Sequence, residues 1–177
     1  KEINEILVLM DTENDEIEKK IEAFDFIPIF EETWKLFRFF ITNNQLSFFS
    51  DLPEHLNVQM NKVSAKIIIH NLLSNATKYA KEDSEIVFEI EADNQDYFEI
   101  ICTNETTIEN IQRMRNSEQL FNAIENEGGY SSGNGLYLLR ELSEFIGGSY
   151  QFNIEDENVV IRIRLPYNQD YKGRDKA

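Results

Sequence analysis

Asn71, Asn75 and Lys78 stand about one turn apart in the stretch Asn71-Leu72-Leu73-Ser74-Asn75-Ala76-Thr77-Lys78-Tyr79. A helix turns ~100° per residue, so it carries these three in one narrow arc and puts Ile69, Leu72, Leu73, Ala76 and Ala80 on the opposite side. The apolar side suits burial against a sheet, with the polar row looking outward. Asn is a poor helix-interior residue because its side chain competes for backbone hydrogen bonds. Two of them one turn apart fit a ligand. An amide oxygen is a hard neutral donor suited to Mg²⁺, which takes one or two protein oxygens and fills its shell with phosphate and water. A lysine one turn on reaches a phosphate oxygen as a point charge.

A second group of residues, Ser131-Ser132-Gly133-Asn134-Gly135-Leu136, lies where a polar stretch enters a helix. The glycines let the backbone approach a ligand closely. The helix start offers unpaired N–H groups and a partial positive charge to an anion.

These residues must be held by ordinary elements. The 177 residues suffice for one domain with a real core, and 41% hydrophobic and 12% aromatic residues mark a folded chain. The net charge of −16 disfavours a nucleic-acid backbone or an anionic membrane surface as partner. The single cysteine, Cys102, permits no internal disulfide and points to a reducing compartment. No apolar run approaches the ~18 residues of a membrane span.

Residues 1–22 read as a helix end, a polar break and a linker. An aromatic helix spans 28–43, with Pro28 in its first turn and Phe30, Trp34, Phe37 and Ile41 as a core stripe. Residues 46–50 read as a strand and 61–80 as the Asn-bearing helix. Ile86, Phe88 and Ile90, then Phe98, Ile100 and Cys102, alternate as a hairpin around Asp93–Asp96. Residues 104–132 are polar and glycine-bearing, a mobile segment by composition. A helix over 134–146 is stopped by Gly147-Gly148. A last hairpin pairs Tyr150, Phe152 and Ile154 with Val160, Ile161, Ile163 and Leu165, and residues after Pro166 read as a frayed tail. His55 reads as a surface loop residue, and His70 points away from the Asn row.

The order of these parts resembles the catalytic ATP-binding domain of sensor histidine kinases, in the GHKL ATPase superfamily. His70 to Tyr79 is similar to that family's N box, Gly133-Asn134-Gly135-Leu136-Tyr137-Leu138 to its second glycine box, and Leu120-Phe121 to the phenylalanine of its lid. The similarity covers roughly residues 45–165. It implies an α/β (α+β) two-layer sandwich, a mixed five-stranded sheet with three helices on one face. It also implies roles. Asn75 would coordinate Mg²⁺, with Asn71 assisting at the metal or triphosphate. Lys78 would touch phosphate, and Tyr79 would pack near the adenine or ribose. Gly133 and Gly135, with Leu136 beside them, would let backbone amides reach the phosphates, and 104–132 would be the ATP lid. Residues 1–24 would be the end of a dimerisation and phosphoacceptor helix plus a linker, 25–168 the catalytic domain and 169–177 a flexible tail. ATP and Mg²⁺ would be the cofactors. The partners would be a phosphoacceptor His domain of the same or a partner chain and a response regulator, within a homodimeric full-length protein. This would be the cytoplasmic part of a membrane-anchored receptor.

One motif departs from the pattern. The family carries Asp-x-Gly-x-Gly after the second central strand, the Asp accepting a hydrogen bond from the adenine amino group. Here the residues are Ile101-Cys102-Thr103-Asn104-Glu105-Thr106-Thr107-Ile108. Strand parity puts Asn104 at the Asp position, whereas counting back from Ile108 puts Thr103 there. A neutral Asn can still accept through its carbonyl, and Glu105 would repel phosphate. Two alternatives follow: a non-catalytic signalling scaffold of the same fold, or an anti-sigma-type GHKL serine kinase. Hydrolytic relatives generally carry an acidic residue one turn before the metal Asn. This chain has Asn71 there, which favours transfer to protein over ATP hydrolysis.

Overall fold

The computed structural model describes residues 20–92, 94–116 and 135–169. Strand β1 (Ile21–Asp25) leads directly into helix α1 (Phe26–Asn43). The switch is made by Asp25, whose Oδ1 accepts the N–H groups of Ile27 at 3.1 Å and Leu56 at 3.0 Å, capping the helix and tying down the loop before β3. Pro28 sits in the first turn as expected. Phe26, Phe30, Phe37 and Ile41 are buried, while Trp34 is half-buried and stacks on Phe48.

Strands β2 (Ser47–Asp51) and β3 (Asn57–Asn61) precede helix α2 (Lys62–Tyr79), which carries the asparagines. Strands β4 (Glu85–Glu91) and β5 (Tyr97–Glu105) form the expected hairpin. A helix α3 begins at 108 and is described as far as 116. Helix α4 (Gly135–Ile146) and the hairpin of β6 (Ser149–Glu155) and β7 (Asn158–Pro166) complete the chain.

The main sheet has the order β2-β4-β5-β7-β6, with β2 parallel to β4 and the other neighbours antiparallel, which is the mixed five-stranded sheet expected. Its inner face carries Ile86, Phe88, Phe98, Ile100, Ile161 and Ile163 against the helices, all within one hydrophobic core. Helix α4 ends as its sequence requires. Gly147 takes φ +92° and donates to the Glu144 carbonyl, and Gly148 donates to Ser143, a Schellman closure. At 148 the reason for glycine is space, since a Cβ would lie 1.9 Å from the Arg164 carbonyl oxygen.

A second sheet, in which β1 pairs antiparallel with β3, was not among the elements expected. Ile21 to Phe24 therefore form a strand where the composition suggests a linker. The end of the chain also differs from a frayed tail. Asn168 bridges Gln59 in parallel, Gln59 N–H donates to the Tyr167 carbonyl, and Gln169 N–H donates to Gln59. Strand β3 does alternate, with Val58 and Met60 buried between polar residues, but it is only five residues long and its partners β1 and 167–169 show no such alternation, so the pairing appears only in the fold.

Candidate nucleotide and metal site

Helix α2 is capped by Asn61, whose Oδ1 accepts the Ser64 N–H at 2.9 Å, and it runs through Ile67-Ile68-Ile69. That β-branched run is a weak helix former, and complete burial of Ile68 and Ile69 outweighs its preference.

The polar row does not look outward. Asn71 is only 4% exposed and Asn75 is half-buried, because the first residue of α4 covers them. An ideal Cβ on Gly135 would lie 3.1 Å from Asn71 Oδ1, 3.1 Å from Asn75 Oδ1 and 3.2 Å from Asn75 Nδ2. The two amides thus converge on one small space that glycine leaves open. Their nitrogens differ. Asn71 Nδ2 donates to the Ile67 carbonyl one turn back at 2.9 Å, which holds its oxygen forward. Asn75 Nδ2 is buried with no acceptor, and it is the one such side-chain atom among the described residues. A buried donor left unpaired costs ~1–3 kcal/mol, a burden that a bound acceptor removes.

Lys78 is exposed in the last turn of α2, its ammonium 4.9 Å from the centre of the Tyr79 ring. Tyr79 is half-buried at the helix end. Its carbonyl accepts the Thr106 hydroxyl and, at 3.4 Å, Asn110 Nδ2. Ala80 continues into an antiparallel bridge with Thr106. The end of the Asn helix is therefore sewn to the segment that leaves β5. Thr106, fully buried, was not singled out by sequence, because a threonine in a polar run carries no signal of its own.

Strand parity is settled on β5. Asn104 is 4% exposed and shares the helix-facing side with Phe98, Ile100 and Cys102, while Thr103 faces the other way and is half-buried. Asn104 Nδ2 donates to the Glu105 carbonyl at 3.3 Å, so its oxygen is what it offers a ligand. Glu105 is engaged with Lys81 at 2.5 Å, and Lys81 also reaches Glu157 at 3.5 Å. The hydrogen bond and charge of Glu105, with Glu157 behind it, raise the Lys81 pKa. The Glu105 carboxylate is thereby partly neutralised. Cys102 is buried, and desolvation pushes its thiol up to about 12, so it is inert packing.

Among the described residues no group of three or more His, Cys, Asp and Glu side chains could hold a metal. The donor set here is instead two neutral amide oxygens. That suits a hard cation only when an anionic ligand such as phosphate completes the shell. The open space at Gly135 and the unpaired Asn75 donor fit such a pair. Gly135 and Leu136 open α4, a twelve-residue helix whose first N–H groups have no partners within the helix. Gly133, with Ser131, Ser132 and Asn134, and Leu120-Phe121 lie outside the described residues, as does most of the expected lid. Of that lid, 104–105 belong to β5, and 108–116 form α3, with Ile111 and Met114 buried. His70 is exposed with its ring edge against Phe37, and His55 is exposed on its loop.

Comparison with known proteins bears on the family and the fold. The family model described as Histidine kinase-, DNA gyrase B-, and HSP90-like ATPase matches residues 60–169. No curated protein matches. Among solved structures, the catalytic domain of histidine kinase ThkA superposes with a TM-score of 0.69 at 20% identity, covering 85% of this chain and 99% of that one. Acinetobacter baumannii histidine kinase AdeS gives 0.68 at 16% identity, over 93% and 76% of the two chains. Full-length ShkA in complex with AMPPNP gives 0.66 at 13% identity, over 85% of this chain and 32% of that one.

Proposed function

Because the chain belongs to the family of histidine kinase-, DNA gyrase B- and HSP90-like ATPases, we propose that it is the ATP-binding catalytic domain of a sensor histidine kinase. It passes the γ-phosphoryl group to a His on an adjacent phosphoacceptor domain in two-component signalling. The observation that carries this reading is the convergence of Asn71 and Asn75 on Gly135, with Asn75 Nδ2 buried and unpaired. The AMPPNP bound to the structural neighbour ShkA supports a nucleotide as the ligand.

Asn75 would hold Mg²⁺ through its amide oxygen, with its buried Nδ2 free to donate to phosphate, and Asn71, pinned by Ile67, would offer a second oxygen. Lys78, now over the Tyr79 ring, would reach a phosphate, and the N-terminal amides of α4 at Gly135 and Leu136 would receive the phosphate chain. Tyr79 would flank the base, and Asn104 would accept from the adenine amino group in place of the missing Asp. The bound metal supplies charge neutralisation on the triphosphate. The protein contributes positioning and electrostatics, which suffice for phosphoryl transfer. The receiving His, the response regulator, the dimer and the membrane anchor belong to the full-length receptor that this reading implies.

The loss of Asp and Gly from the 101–108 motif favours a second reading, a scaffold that keeps the fold without using ATP. Calorimetric titration with a non-hydrolysable ATP analogue, with and without Mg²⁺, separates the two. Magnesium-dependent binding that disappears in Asn75→Ala, in a variant that stays folded, supports the kinase reading. No binding at millimolar nucleotide by folded protein supports the scaffold, and unchanged affinity in Asn75→Ala removes the metal role.

A further inference from the structure

The C-terminal segment is wired to the start of the helix that carries the asparagines. Gln169 Oε1 accepts the Asn61 backbone N–H at 2.8 Å, while Asn61 Oδ1 caps α2 through Ser64. Asn61 is 2% exposed, so this N–H has no water to fall back on. Gln169 is itself held, its N–H donating 2.7 Å to the Gln59 carbonyl while Gln59 N–H donates 2.7 Å to Tyr167. Tyr167 in turn is fixed to the main sheet, its N–H on the Asp96 carbonyl at 3.1 Å and its hydroxyl on Ala92 at 3.1 Å. On the other side of β3, Asn61 is the register partner of Ile21, the first residue of β1. The cap of α2 therefore lies between the strand through which the chain enters and the segment with which the described fold ends.

We infer that Gln169 is a positioning residue for the metal and nucleotide site, holding the N-cap of α2 so that Asn71 and Asn75 stay in register with Gly135. The inference rests on the nucleotide reading of that site. At ~1.5 Å per residue, Asn71 and Asn75 stand roughly 15 and 21 Å along α2 from Asn61. A tilt of about 5° at the cap displaces Asn75 by roughly 2 Å, more than a coordination shell accepts.

The test uses the whole chain as Gln169→Ala and Gln169→Glu, the second of which keeps an acceptor at the end of the side chain. Two readouts are followed: affinity for AMPPNP with and without Mg²⁺, and the side-chain amide NMR signals of Asn71 and Asn75 in nucleotide-free protein. The expected result for Gln169→Ala is a roughly fivefold to tenfold loss of magnesium-dependent affinity, the scale of one lost hydrogen bond. It comes with displaced Asn75 signals, and both effects are reversed in Gln169→Glu. Faster exchange at the Asn61–Ser64 amides with unmoved Asn75 signals and unchanged affinity overturns the inference and leaves Gln169 a stabilising contact only. If the parent protein binds no AMPPNP, the nucleotide reading fails. The Asn75 signals then still decide the positioning role, shifted signals supporting it and unshifted ones overturning it.

Discussion

Gly135 faces Asn75 so closely that a Cβ at 135 would lie 3.1 Å from Asn75 Oδ1. That is tight but not impossible, so Gly135→Ala pushes the Asn75 and Asn71 amides back by a few tenths of an ångström. Alanine is also a better helix former than glycine, by at most ~1 kcal/mol at this first helical position. Stability and binding should therefore move in opposite directions. The melting temperature is expected to hold or rise while magnesium-dependent nucleotide affinity falls by about tenfold or more. A thermal-shift series run beside calorimetry checks this, and retained affinity in Gly135→Ala would show that the space at 135 is not used.

Asn104 and Thr103 can be told apart by charge. Asn104→Asp places a carboxylate on the buried, helix-facing side of β5. Without ligand that charge is poorly solvated, so the variant should melt earlier than its parent. With an adenine nucleotide it gains a charge-assisted hydrogen bond, expected to tighten binding severalfold, the scale on which such bonds exceed neutral ones. Thr103→Asp, on the opposite face, should change neither. Tighter binding in the Thr103 variant instead would move the base-recognising position to 103.

The pair of Asp25 and His55 predicts a pH window. His55 Nδ1 lies 2.8 Å from Asp25 Oδ2. The Leu56 backbone N–H, together with the His55 contact, lowers the Asp25 pKa, and the bond to Asp25 raises that of His55. A raised histidine contributes stability below its ordinary value of 6.5, which is lost as pH rises through its folded value. A lowered aspartate contributes above its ordinary value of 3.8, lost as pH falls through its folded value. The melting temperature lost in His55→Ala should thus be largest between these two pH values and vanish at alkaline pH. Because His55 is exposed the effect is small and should shrink further with salt. A difference between parent and variant that grows toward alkaline pH would refute the pairing.

The sequence by itself determined the Asn71, Asn75 and Lys78 row, the core side of α2, the two hairpins and the glycine stop after α4. Each rests on a short-range rule of period or backbone freedom that needs no knowledge of distant residues. The same parity rule chose Asn104 over Thr103, and the buried pattern along β5 agrees. Tertiary structure decided what those rules cannot reach. Whether the Asn row meets water or another helix depended on Gly135, sixty residues downstream of Asn75, arriving across α2. The pairing of β1 with β3 and of Gln169 with Gln59 is made by backbone hydrogen bonds between short segments distant in sequence. Such bonds form with any side chains, so the residues of either partner do not announce them.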